Sequence, residues 1–311
     1  MFNSRLNTET PVTRATLVRL AARHGLTIRC HVPCPWVGAT SRVFDLGDVV
    51  VKVPHGESAA IASLLTDVWV SVVARNLGVR VAPIVAFEDA NDLLPVPYAI
   101  FERIPGRSIA ETGRDSREAM SSWEGVGRQL AILHAIVESD VPDVRFNSLR
   151  RFRQTPEVDP RPWVDELTVA GMIDRTDEVQ WTRLLERLAS SALHPIPLRL
   201  CHGDVNAANV IISPAVSSAA TLIDWAGAGW LDPVWDLAAG PLSAVPYLLR
   251  GHRSFGPLPT DETAEARILW CRLQVALNTA RQREGADGSS GARLKQVLVE
   301  SLAFEAEGSI G

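Results

Sequence analysis

Between Leu200 and Leu237 the chain sets out polar residues in an order that few folds can accommodate. The segment reads Leu200-Cys201-His202-Gly203-Asp204, continues through Asn209, and enters the apolar run Val210-Ile211-Ile212. After a Ser/Ala-rich turn come Thr221-Leu222-Ile223-Asp224-Trp225, and then Asp232-Pro233-Val234-Trp235-Asp236. The two β-rich runs, 210–212 and 221–223, flank a turn and predict a hairpin. Asp204 and Asn209 precede its first strand and Asp224 follows its second. The hairpin therefore carries three oxygen-bearing side chains to one end of a sheet. Any one of them alone is an ordinary turn or cap residue; the information lies in the ordered set.

Three such side chains suit the handling of a triphosphate. A hydroxyl must be oriented, and Mg²⁺, which takes hard oxygen ligands and keeps several waters, needs only one or two from the protein. In the kinase catalytic loop an Asp is followed five positions later by a metal-binding Asn, with a second metal-binding Asp further on. Asp204, Asn209 and Asp224 have that order. The residues His202-Gly203-Asp204, Asn209 and Ile223-Asp224-Trp225 resemble the aminoglycoside phosphotransferase and choline-kinase-like family, which has HGD where protein kinases have HRD. The resemblance implies an α+β, bilobal protein-kinase-like fold. Residues 1–103 would form a nucleotide-binding lobe, a small antiparallel β-sheet with a helix, and 104–311 a mainly helical catalytic and acceptor-binding lobe. It implies transfer of the γ-phosphoryl of ATP (or GTP) to a hydroxyl of a small molecule, foremost an antibiotic such as an aminoglycoside, or a related amino alcohol or sugar. Asp204 would be the catalytic residue, Asn209 and Asp224 the Mg²⁺ ligands, and His202 a brace for the loop.

Order along the chain supports the same reading. Thr13 can cap a helix running to about His24, with Gly25 to stop it. Three β-like segments follow at 28–37, 42–45 and 48–53. In the loop between the first two, Thr40 and Ser41 can donate to phosphate oxygens beside backbone N–H groups. Lys52 lies inside the apolar run Val49–Val53, where an unpaired ammonium is costly. It would either point to solvent from an edge strand or pair with phosphates and an acid on the next helix. That helix, 58–77, offers Asp67 where the family usually has Glu, with Glu57 as the other choice. Strands at 79–87 and 97–103 would complete the small sheet. The stretch Tyr98 to Gly106 resembles the family's hinge between lobes, so the Glu102 carbonyl and the Ile104 N–H would read the base, with Phe101 behind it.

A helix over 118–137 carries His134, read as a core histidine. Helices are expected at 165–169 and 174–193, and Trp163 and Trp181 are candidates for a substrate wall. Asp236 reads as a structural brace. Helices at 264–280 and 292–304 are divided by a Gly/Ser-rich loop, 285–291, and the acids Asp261, Glu262 and Glu265 read as a solvated face.

Composition narrows the rest. The 311 residues are 46% apolar and 22% charged, with a formal net charge of −5, so a nucleic-acid partner is not expected. Cys30 and Cys34 have no second ligand pair at zinc spacing. Free thiols, the lack of an apolar leader and of a ~20-residue apolar run fit a soluble cytoplasmic protein without a membrane partner. No obligate protein partner is evident. Three other readings stay open: a metal-dependent hydrolase built on His202, Asp204 and Asp224, a silent nucleotide binder, and a protein kinase, the last disfavoured by HGD.

Overall fold

The computed structural model describes residues 12–29, 36–113, 116–151, 158–213, 220–282 and 288–309. Cys30, Cys34 and most of the strand expected over 28–37 lie outside these residues. Helix α1 (Arg14–Arg23) starts at Thr13, whose side chain accepts from the Thr16 N–H. Strands β1 (Trp36–Val37), β2 (Ser41–Asp45) and β3 (Val49–Pro54) follow, then helix α2 (Ser58–Asn76) and strands β4 (Ile84–Glu88) and β5 (Tyr98–Glu102). The five strands form one antiparallel sheet in the order β1-β2-β3-β5-β4. The expected strand at 79–87 begins only at Ile84. Its earlier half is extended chain that crosses to the other lobe: Val81 bridges to Leu222, and the Leu222 N–H donates to the Arg80 carbonyl.

The second lobe contains β6 (Arg107–Ser108), α3 (Ile109–Thr112), α4 (Arg117–His134), β7 (Arg150–Arg151), α5 (Arg161–Val169), α6 (Arg175–Ala192) and β8 (Arg199–Cys201). It continues with β9 (Val210–Ile212), β10 (Ala220–Leu222), β11 (Gly229–Leu231), α7 (Val234–Ala238), α8 (Val245–Arg253), α9 (Ala264–Gln282) and α10 (Gly288–Phe304). The expected hairpin is β9–β10, paired Val210↔Leu222 and Ile212↔Ala220. Helix α10 begins inside the Gly/Ser stretch expected as loop. At Gly291 an added Cβ would stand 3.0 Å from the Met172 carbonyl oxygen, so that small residue lets the helix lie on the α5–α6 turn.

The fold is bilobal and α+β, with separate apolar cores. Leu17, Phe44, Val51, Tyr98 and Ile100 fill one between α1 and the sheet. The larger core gathers α4, the helices from α5 onward and the hairpin. Helix α2 meets the length and composition of a membrane span. Here it serves as a joint, sending Leu64 and Val68 toward Phe101 under the sheet and Val70 and Ala74 into the larger core.

Helices α4 and α8 cross at backbone contact. A Cβ at Gly127 would lie 2.1 Å from the Leu248 carbonyl oxygen, and one at Gly251 2.0 Å from that of Glu124. Only glycine permits such an approach, because any other residue would place carbon inside the van der Waals radius of the oxygen.

Candidate functional site

Lys52 lies on β3, and its ammonium is nine-tenths covered. Its Nζ donates to Asp67 Oδ2 at 2.6 Å and to Asp224 Oδ1 at 2.7 Å. Burial alone pushes this ammonium's pKa down, but the charges of Asp67 and Asp224 and their hydrogen bonds outweigh it and the net shift is upward. Asp67 is itself buried, and its other oxygen accepts the Trp225 N–H at 2.9 Å. One turn of α2 is thereby fixed to the residue after Asp224. Glu57, the other sequence choice, caps α2 without a side-chain bond and is exposed.

Asp224 has φ 63° and ψ 69°, a left-handed conformation uncommon for a residue with a side chain. The Asp67 bond to the following N–H and the Lys52 bond to its carboxylate hold it there. Such strain persists only where surrounding contacts over-determine it.

Asp204 stands on the exposed side of the β8–β9 loop. Its Oδ1 accepts from Asn206 Nδ2 and its Oδ2 from Asn209 Nδ2, both at 2.8 Å. Asn209 Nδ2 also donates to the Asp204 carbonyl at 3.0 Å. Both partners of that amide nitrogen are acceptors, so the Asn209 orientation follows and its Oδ1 points elsewhere. Partial burial raises the Asp204 pKa, and the nearby Asp224 charge adds to it; the two amides and His202 act against it.

His202 is fully buried. Its Nε2 donates to the Ile223 carbonyl at 3.1 Å, and its Nδ1 accepts the Asp204 N–H at 3.3 Å. With both ring nitrogens committed to backbone, His202 is neither a metal ligand nor a proton carrier, which removes the basis of the hydrolase reading. Gly203 has φ 82°, and a Cβ there would lie 1.9 Å from the Gly227 carbonyl oxygen, so glycine is required twice over.

Behind the loop, Asp236 on α7 is fully buried. It accepts the His202 N–H (2.8 Å), the Gly203 N–H (2.7 Å) and His134 Nε2 (3.0 Å). Burial would raise its pKa; the His134 bond and charge and the Gly203 N–H overcome this and lower it. His134 Nδ1 lies 3.2 Å from His252 Nε2, and His252 Nδ1 lies 3.2 Å from the Gly256 carbonyl. Burial, and after it the His134 charge, push the His252 pKa down to about 4.

At the hinge, the Glu102 N–H donates to the Pro83 carbonyl at 2.8 Å. Proline has no N–H to return, so the ladder leaves the Glu102 carbonyl available. Phe101 is buried against Leu64, Val68 and Ala99, and Ile104 is half-buried two residues on. Thr40 lies in a tight turn: its carbonyl accepts the His55 N–H, and the Gly38 N–H donates to the Ser41 carbonyl. The buried Ser41 hydroxyl has no partner among the described residues.

A cleft of about 400 Å³ opens beside Gly203 and Asp204, walled by Trp235 and by side chains of α9 and α10. Trp163 and Trp181 are not on it. Trp181 is core, and Trp163 stacks under Arg281. Asp261 and Glu265 pair with Arg253, also away from the cleft. The sequence reading passed over Trp235, although it follows Asp232 within the singled-out segment, and over Asn206, although Asp-x-Asn is a familiar local pairing. Arg150, far off in sequence, carried no signal.

Asp204, Asn209, Asp224, Lys52 and Asp67 thus converge on one face between the lobes. A family model described as a phosphotransferase enzyme family matches residues 35–244. Among solved structures, a spectinomycin phosphotransferase in complex with ADP and spectinomycin is 16% identical at a TM-score of 0.66, covering 95% of this chain and 99% of that one. A GDP complex of an aminoglycoside 2′-phosphotransferase is 13% identical at 0.63, covering 94% and 98%. A choline/ethanolamine kinase family protein from Mesorhizobium loti is 17% identical at 0.55, covering 93% and 94%. No curated protein matches the chain. At these identities the structural likeness speaks for the fold, while the family match takes in every one of the converging residues and Asp236 as well: the chain belongs to the phosphotransferase enzyme family and is a small-molecule kinase.

Proposed function

We propose that this protein moves the γ-phosphoryl group of a nucleoside triphosphate, ATP or GTP, to a hydroxyl of a small molecule held in the cleft beside Asp204. The observation that carries the reading is the Asp204 carboxylate itself. It is held by two amides, its pKa is raised, and it borders both the cleft and the Lys52–Asp224 pair. A carboxylate so placed can accept the proton of an acceptor hydroxyl and hold its oxygen for in-line attack.

The donor set suits Mg²⁺. Asn209 keeps its Oδ1 free of Asp204, and Asp224 binds Lys52 through Oδ1 only, so each offers a hard oxygen. Bound there, the cation would neutralise charge between the phosphates. Lys52, kept charged by Asp67, would bind the phosphates, with Thr40 and Ser41 in the turn above. The Glu102 carbonyl and the Ile104 N–H would take the base edge over Phe101. The boundary between nucleotide lobe and acceptor lobe falls in this reading at 103/104. Likeness alone makes an antibiotic or an amino alcohol the expected acceptor, as with the spectinomycin bound by the first of the relatives.

The test is acceptor-dependent ADP or GDP release with Mg²⁺ against a panel of hydroxyl compounds, run on the native protein and on Asp204→Asn. The variant should bind Mg²⁺-nucleotide as the native protein does and lose roughly 10²–10⁴-fold in kcat. Turnover retained by Asp204→Asn would remove Asp204 from this role. Nucleotide binding without turnover on any acceptor would favour a silent binder.

A further inference from the structure

The cleft that borders Asp204 has a wall of its own chemistry. One side is apolar and smooth: Trp235, Ala238, Val275, Ala276 and Leu294 face it. The charged groups on it are lopsided. Among the described residues lining it, Asp204 is the only carboxylate, against three guanidiniums: Arg150, Arg272 and Arg293.

The three arginines differ. Arg272 is tied down, donating to the Gly240 carbonyl at 2.8 Å and to Glu300 at 3.2 Å. The Arg150 guanidinium carbon lies over the Trp235 ring, 5.2 Å from its centroid, which places the charge beside the apolar wall. Arg293 stands exposed at the rim on α10 and forms no ion pair among the described residues. A rigid guanidinium offers paired N–H donors matched to a carboxylate or phosphate. A polycation in the same cleft would meet like charges, with Asp204 the one carboxylate among the described lining residues to receive it.

We infer that the acceptor is an alcohol with an apolar body and an anionic oxygen group, a carboxylate or a phosphate, which Arg150 and Arg293 recognise while the hydroxyl reaches Asp204. This deepens the kinase reading and rests on it. It departs from the amine-rich acceptors that likeness suggests. A cleft of about 400 Å³ takes a body of one or two rings.

A matched series on one skeleton tests this: 4-(hydroxymethyl)phenylacetate, 4-(hydroxymethyl)benzylphosphonate, the neutral 4-(hydroxymethyl)phenylacetamide and the amine 4-(hydroxymethyl)phenethylamine, with kanamycin as a polycation. Affinities are measured by calorimetry on the full chain with Mg²⁺-ADP present, and acceptor-dependent ADP release from ATP is followed in parallel. One or both anions should bind about ten-fold or more tightly than the amine and the amide. That preference should fall below about three-fold in the Arg150→Glu/Arg293→Glu double variant, whose ADP affinity in the same titrations reports its folding. Phenylacetate against phosphonate separates the two anionic groups. Equal affinities, no binding by any member, or preference for the amine or kanamycin overturns the inference. In the last case, phosphorylation of the amine or kanamycin leaves the kinase reading standing. Failure to bind Mg²⁺-ADP at all, with no turnover on any member, overturns both.

Discussion

Asp204 and Asp236 flank the same loop and show what environment does to one chemical group. Asp236 is the more deeply buried, yet its pKa is lowered; Asp204 is partly open, yet its pKa is raised. Burial pushes both upward. The difference lies in the donors. Asp236 receives two backbone N–H groups and His134 Nε2, whereas Asp204 receives two neutral amides and faces the charge of Asp224. One carboxylate is stabilised in its ionised form and fixes the backbone of the loop. The other is shifted toward its protonated form. A full complement of donors makes a strut, and an incomplete one leaves a reactive group.

The contrast breaks most visibly at Asp236. Asp236→Ala leaves two backbone N–H groups and His134 Nε2 without their buried acceptor, and should cost roughly 3–5 kcal/mol in urea unfolding. A loss below about 1 kcal/mol would show that the loop does not depend on this strut. Linkage gives the sign for the acid side. The folded pKa of Asp236 is depressed, so its contribution is present above the ordinary carboxylate pKa and is lost as pH falls through the folded value.

His252 extends the comparison one step further from the loop. Its folded pKa of about 4 lies below its ordinary 6.5, so the unfolded chain binds the extra proton first and stability falls as pH drops from about 6.5 to 4. The shift corresponds to roughly 3 kcal/mol over that window. In His252→Gln, which keeps an acceptor for His134 and a donor for Gly256, the loss of stability between pH 7 and 4 should shrink by about that amount. An unchanged pH profile would detach His252 from the row.

Asp204→Asn sharpens the other side. Its raised pKa means that the ionised form is disfavoured in the fold, so the neutral amide should leave the urea midpoint unchanged or raise stability by up to about 1 kcal/mol while kcat collapses. A stability loss like that at Asp236 would make the two carboxylates equivalent and dissolve the contrast.

The smallest effect is expected at Asp67. It reaches Lys52 at 2.6 Å although it is a methylene shorter than the usual glutamate. Asp67→Glu must fold the extra carbon into a site already bonded to the Trp225 N–H. A change in nucleotide KM of no more than about three-fold is expected, measured by ADP release. A large loss would mean that the spacing between α2 and β3 is tuned to the shorter acid.

The sequence made the fold legible where local pattern and chemistry agree. Asp204, Asn209 and Asp224 are tied to a hairpin of two short β-rich runs flanking a turn, so their convergence followed from spacing. Lys52 stood out because an ammonium within an apolar strand demands partners. The Gly/Ser opening of α10 misled because glycine near a helix start is set by contact with Met172, a tertiary matter. The half-strand at 79–83 misled because its partner is Leu222, in the other lobe. The cleft was least legible. Its wall comes from β7, α7, α9 and α10, segments far apart in the sequence, and tryptophan content alone drew attention to Trp163 and Trp181 in place of Trp235.

The crossing of α4 and α8 leaves one more consequence. His134 and His252 stand 3.2 Å apart because Gly127 and Gly251 bring the two helices to backbone contact, and a Cβ at Gly127 would also stand 3.0 Å from the His252 backbone nitrogen. The proton shared by those rings is therefore positioned by hydrogen atoms at two sites that bear no functional group and touch no substrate. Variation there is not graded. Even alanine, the gentlest replacement elsewhere in a helix, would drive the axes apart and open the row of bonds behind the β8–β9 loop. In mutational terms the enzyme has two silent positions as unforgiving as its carboxylates.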